Sequence, residues 1–179
     1  MNEAAPSHAQ QRHDFVVMAI GASAGGLKAL DELLRDTQRD DRAAYIVIQH
    51  RTKLSVQQAV DDTPLQPGQV YTIPPGARML IWNGRLKLTE FDQPRGLRRP
   101  INDFFQSLAH DCGPTAACVI LSGRGSDGIL GRRAIKEHGG LCVVQEPGTA
   151  RHDGMPLSAE ATGLIDYILP PYRILSAIL

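Results

Sequence analysis

The chain has 179 residues with 42% hydrophobic residues, enough for one compact domain with an ordinary core and against general disorder. Its 19 Lys and Arg balance 19 Asp and Glu, which argues against a general nucleic-acid binder. No apolar run reaches the ~20 residues needed to span a bilayer, and the polar first 13 residues lack the apolar core of a signal peptide, so a cytoplasmic protein with no membrane insertion is expected.

Residues 1–13 read as a flexible tail or linker and residues 14–179 as the folded domain. Phe15–Ile20 is a candidate buried strand, followed by a glycine-rich turn at Gly21–Gly26 and by leucines at helical spacing (Leu27, Leu30, Leu33, Leu34). Ala44–Ile48 is a second strand, ending at Gln49-His50. Val70–Ile73 is a short strand stopped by Pro74-Pro75. Met79–Trp82 and Arg85–Leu88 flank Asn83-Gly84, the dipeptide of a type I′ hairpin. Asn102 is placed to cap a helix through Phe105 and Leu108 that Gly113 ends. Ala116–Leu121 is a third buried strand, opening into Ser122-Gly123-Arg124-Gly125-Ser126-Asp127-Gly128. A helix through Ile129, Arg133 and Lys136 follows, then strands at Leu141–Val144 and Leu164–Leu169 and a short C-terminal helix. Apolar strands alternating with helices predict an α/β fold: a doubly wound, mostly parallel sheet with helices on both faces, to which the hairpin adds an antiparallel piece.

Cys112, Cys118 and Cys142 form no C-x-x-C pair, and an odd count closes no disulfide framework. They read as buried free thiols of a reducing compartment.

In an open α/β sheet, ligands bind beyond the carboxyl ends of the strands. Gly21-Ala22-Ser23-Ala24-Gly25 is a G-x-S-x-G match between strand and helix, a geometry that exposes a serine hydroxyl beside helix amide donors. Taken alone, it serves equally well as a nucleophile turn or a phosphate-binding turn. His50 ends the second strand and is a candidate proton acceptor for that serine. Asp127 follows the third strand, where it either caps the next helix or orients the imidazole. The order Ser…His…Asp is not the Ser…Asp…His order of α/β-hydrolases.

Ile20–Gly26, Gln49-His50 and Leu121–Gly128, with Gly154-Met155-Pro156, resemble in order the signatures of the CheB methylesterase catalytic domain, from about Phe15 onward. Segments Val70–Gly76 and Arg95–Phe105 most resemble the variant fused to a receptor methyltransferase. The resemblance implies hydrolysis of glutamate methyl esters on chemoreceptors, and glutamine deamidation. It implies Ser23 as nucleophile, His50 as general acid and base, Asp127 as orienting acid, and the backbone amides of Ala24 and Arg124 as an oxyanion hole. It implies no metal and no organic cofactor. The implied partners are cytoplasmic helices of methyl-accepting receptors, and a receiver or methyltransferase domain in the full-length protein. A positive rim would aid docking to acidic helices. Of Arg51, Arg124, Arg132 and Arg133, the last two read first as a solvated helix face.

The segment from Arg51 to Gln69 is too short for the helix that the family carries there, through a true deletion or through residues missing near Ser55-Val56. Arg51 also stands where the family prefers an apolar residue. Two rival readings are a nucleotide-binding domain, which would lack the P-loop lysine, and a CheB-like signalling module without activity.

Overall fold

The computed structural model describes residues 13–35, 41–48 and 56–179. The tail before His13, the Gln49-His50 motif, Arg51 and the Ser55-Val56 junction therefore lie wholly or partly outside the described residues.

Seven strands form one parallel sheet in the order β10-β9-β8-β1-β2-β5-β3. They are β1 (Val16–Gly21), β2 (Ala43–Ile48), β3 (Gln57–Gln58), β5 (Val70–Thr72), β8 (Ala116–Ile120), β9 (Leu141–Gln145) and β10 (Tyr167–Leu169). The predicted strands are all present, with ends unmoved or moved by up to three residues. Residues of β1, β2 and β8 are almost wholly buried, as continuous apolar runs require when both faces of a sheet are covered.

Helices α1 (Gly26–Leu34) and α5 (Pro171–Ile178) cover one face, packing Leu30, Leu33 and Ile174 on Met18, Ile20 and Val119. Helices α2 (Pro100–Cys112), α3 (Ile129–Glu137) and α4 (Gly154–Glu160) cover the other, where Phe104, Phe105 and Leu108 meet Val17, Ala19 and Cys118. Each buried aromatic or leucine removed from water contributes about 1.5–3 kcal/mol.

The hairpin is not an edge of the parallel sheet. Strands β6 (Arg78–Trp82) and β7 (Arg85–Thr89) join β4 (Thr63–Pro64) in a separate antiparallel sheet. Its apolar side, Met79, Ile81 and Leu86, packs into the α2 side of the core. Asn83 and Gly84 both adopt positive φ (49° and 68°), as a type I′ turn demands. Within residues 56–69 the chain forms β3 and β4 and no helix, matching the shortened segment.

Two capping expectations are corrected. Asn102 lies inside the first turn of α2, and its side-chain oxygen accepts from the Gly131 amide of α3, at 3.0 Å. Asp127 caps not the following helix but α2, through the amides of Ile101 and Asn102. Arg132 is corrected too. It is 1% exposed, and its guanidinium donates to the Ala159 carbonyl and the Thr162 hydroxyl, whereas Arg133 is exposed as expected. All three cysteines are buried and free, with Cys118 and Cys142 register partners on β8 and β9.

Candidate active site

The strand order fixes where a site can form. From β1 the chain moves outward to β2 and to β3 at the sheet edge, inserts β5 between those two, and then returns to place β8 on the other side of β1. The switch point lies between β1 and β8, and the loops leaving their carboxyl ends bound the crevice there. Gly21 is register partner of both Ile48 on β2 and Ile120 on β8. Ser23 is two residues beyond Gly21, and the 122–128 loop begins two residues beyond Ile120.

Ser23 is half-buried on this turn. Its amide donates to the Ser122 carbonyl at 3.1 Å and its carbonyl accepts from the Gly26 amide at 3.0 Å, so the turn is fastened at both ends of the residue. Gly25 has φ 77°, and a Cβ there would fall 2.9 Å from Arg151 Cβ. Both facts restrict the position to glycine.

The Ser23 hydroxyl accepts a hydrogen bond from the Arg124 amide at 3.1 Å. The peptide plane carrying that amide is held from its other side, because the Gly123 carbonyl accepts from the Met155 amide at 2.9 Å. Gly123 lets the two loops come this close. A Cβ on it would collide with Met155 Sδ and lie 2.5 Å from Ser23 Oγ. Met155, at the start of α4, is thus part of the site, and Gly154-Met155-Pro156 was its sequence signal. The Ala24 amide, the other expected donor, belongs to an exposed residue on the same turn.

Asp127 is half-buried, with Oδ2 accepting from Ile101 at 3.1 Å and Oδ1 from Asn102 at 3.0 Å. Burial pushes its pKa above the ordinary carboxylate value, and the amides of Asn102, Ile101 and Gly128 and the charge of Arg99 pull the other way. The two oxygens together offer about four lone-pair sites, so these three amides leave room for a further donor. His50 lies outside the described residues. Of the five expected site residues, Ser23, Ala24, Arg124 and Asp127 therefore stand on the two loops that bound the crevice.

A cleft of about 870 Å³ opens beside Ser23, lined also by Leu27, Lys28, Gln145, Thr149 and Arg151. Arg151 and Thr149 belong to the loop after β9, which the sequence reading did not single out. Among the described residues, His13, Asp111 and Cys112 bring ligand-type atoms within 4.8 Å of one another. Both Asp111 oxygens, however, accept from the Asn83 and Gly84 amides at 2.6 and 2.9 Å, and burial pushes the Cys112 thiol strongly up. That cluster closes the hairpin turn at the far end of α2, about 15 Å along the helix from the residues that Asp127 bonds.

The fold is thus that of a doubly wound α/β domain, with a serine hydroxyl, an aimed backbone donor and a half-buried carboxylate gathered at its switch point. The chain belongs to the CheB methylesterase family, whose profile matches residues 18–178. It is 33% identical over 181 residues to protein-glutamate methylesterase FrzG of Myxococcus xanthus, covering 92% of this chain and 54% of that one. It is 31% identical over 183 residues to protein-glutamate methylesterase/protein-glutamine glutaminase 2 of Anaeromyxobacter dehalogenans, covering 94% of this chain and 53% of that one. The chain thus spans about half the length of these relatives. An uncharacterized 104.1 kDa protein of Rhodobacter capsulatus is 42% identical over 131 residues, which are 73% of this chain and 14% of that one. The fold matches the crystal structure of the Thermotoga maritima CheB methylesterase catalytic domain with a TM-score of 0.79 at 27% identity, covering 92% of this chain and 97% of that one.

Proposed function

We propose that residues 14–179 form a methylesterase domain that hydrolyses glutamate methyl esters on the cytoplasmic helices of chemoreceptors, with glutamine deamidation as its second activity. Ser23 is the nucleophile, His50 the general acid and base, and Asp127 the residue that orients His50. One observation carries this reading: the Arg124 amide, on the loop after β8, is aimed at the Ser23 hydroxyl at 3.1 Å. An acyl oxygen on Ser23 would develop its negative charge within reach of that amide and of the Ala24 amide. Losing one such donor typically costs about 3–4 kcal/mol of transition-state stabilisation. Chain order and register support the His50 role, since His50 stands as far beyond Ile48 as Ser23 stands beyond its partner Gly21.

Ser23 Oγ attacks the ester carbonyl as His50 takes the hydroxyl proton. The tetrahedral oxyanion collapses, the C–O bond to the methoxy group breaks, and His50 returns the proton to it as methanol. Water, deprotonated by His50, then attacks the glutamyl-serine ester, freeing the glutamate carboxylate and restoring the Ser23 hydroxyl. Glutamine deamidation follows the same steps with ammonia as leaving group. In the full-length protein a receiver or methyltransferase domain accompanies this one. The match to a small part of a 104.1 kDa relative is consistent with such an arrangement.

Labelling with a serine-directed phosphonate tests the reading. One adduct at Ser23, lost in Ser23→Ala and much slower in His50→Ala, supports it. Absence of labelling at Ser23 in the folded protein contradicts it.

A further inference from the structure

Ser122 is 1% exposed, and the mechanism above gives it no part. Its polar atoms bond the Ser23 turn, the loop after β9 and Gln145 at the end of β9. Its amide donates to Gln145 Oε1 at 2.8 Å, and Gln145 is itself held by Thr149, which accepts from Nε2 at 3.1 Å. Its carbonyl accepts from the Ser23 amide. Its hydroxyl oxygen accepts from the His152 amide at 3.0 Å, while its single proton faces two carbonyls, Ala24 and His152, each at 3.2 Å.

We propose that the Ser122 hydroxyl is a positioning residue for the ester hydrolysis: it locks the Ser23 turn to the loop after β9 and so holds the two oxyanion donors in register. The inference rests on the serine-hydrolase reading. The bond to the Ala24 carbonyl fixes the peptide plane after Ala24, and the bond from Ser23 to the Ser122 carbonyl fixes the plane before Ser23. The Ser23–Ala24 plane, which carries the Ala24 amide, lies between these two anchors. On the other side, the Gly123 amide donates to the His152 carbonyl at 2.9 Å, so His152 bonds both Ser122 and Gly123 immediately before Arg124. Removing the hydroxyl leaves the Ala24 carbonyl without this donor and the His152 amide without this acceptor in a part-buried site. The loops would then shift to find water. Displacements of about 1 Å at reacting groups cost about 100-fold in rate.

The test compares Ser122→Ala, Ser122→Thr and Ser122→Cys in methanol release from methylated receptor, beside the unmutated protein and Ser23→Ala, with thermal melts on each. The expected result is a fall in kcat of roughly 10–100-fold in Ser122→Ala with KM nearly unchanged, and recovery to within a few-fold in Ser122→Thr, which keeps the hydroxyl. Ser122→Cys keeps the volume with a far weaker hydrogen-bonding group, and stands in if Ser122→Ala does not fold. Its kcat should fall with that of Ser122→Ala. Unchanged kcat in a folded Ala or Cys variant overturns the role, as does equal damage by Thr and Ala, or a loss confined to KM. Activity in Ser23→Ala overturns the serine reading and the Ser122 role with it. A dead Ser23→Ala beside a fully active Ser122→Ala overturns the Ser122 role alone.

Discussion

Asp127 and Asn102 exchange helix caps. The Asp127 carboxylate accepts from the Asn102 amide in the first turn of α2, and the Asn102 side-chain oxygen accepts from Gly131 in the first turn of α3. Each residue is nearest in sequence to one helix and caps the other, so the pair ties α2 to α3 beside the site. The orphan amides at the two N-termini are satisfied across the interface.

Asn102→Ala and Asp127→Ala should each cost about 0.5–2 kcal/mol in urea unfolding, the usual price of a lost cap. Their effects on chemistry should separate. Asn102→Ala should keep kcat near the unmutated value below its melting range, while Asp127→Ala should lose kcat, because in the proposed triad the carboxylate orients His50. Equal loss of kcat in both would reduce Asp127 to a structural cap.

Acid titration should expose the burial of Asp127. Its native pKa lies above the ordinary carboxylate value of 3.8, chiefly through burial. The native state therefore binds this proton more tightly than the unfolded chain. This group's contribution to stability falls as pH rises from near 3.8 through the higher native value. Asp127→Asn removes that slope. Urea unfolding of both proteins across this window should show the unmutated protein losing ground to Asp127→Asn as pH rises. A difference that does not change with pH would contradict the assignment.

Gly123→Ala should nearly abolish activity in a protein that still folds. The new methyl group meets Met155 Sδ and Ser23 Oγ, and one of them must move. Methanol release should drop on the order of 100-fold, while the melting temperature changes by only a few degrees. An active Gly123→Ala would show that the close approach of the two loops is not needed.

The three thiols should be silent to Ellman's reagent in the folded protein. All are buried, and burial holds the Cys112 and Cys118 thiols well above the ordinary range, so little thiolate forms. Urea should release three equivalents at once, and fast reaction of any thiol without denaturant would contradict the burial.

The parallel sheet was legible because its strands are apolar on both faces and its turns carry glycine. The same local rules mis-assigned both caps, because capping partners 25 and 29 residues apart leave no trace in spacing. Arg132 looked solvated for a similar reason. The acceptors that allow its burial, Ala159 and Thr162, lie on and just after α4, a helix whose sequence shows no strong periodicity. Ser23 and Asp127 were legible as residues just past strand ends. Met155 was marked by the Gly154-Met155-Pro156 motif, but the support from Gln145 and His152 was not legible, since they act through one amide side chain and through backbone groups.

Methanol release from methylated receptor by the full-length protein, set against Ser23→Ala, bears most directly on the proposed function. Ser23→Ala removes the attacking oxygen without adding bulk to the turn. It should melt like the unmutated protein and release no methanol above background, with His50→Ala nearly as inactive. The Ser23/His50 double variant should be little worse than either single one, because the residues act as a unit. Undiminished release by folded Ser23→Ala would contradict the account.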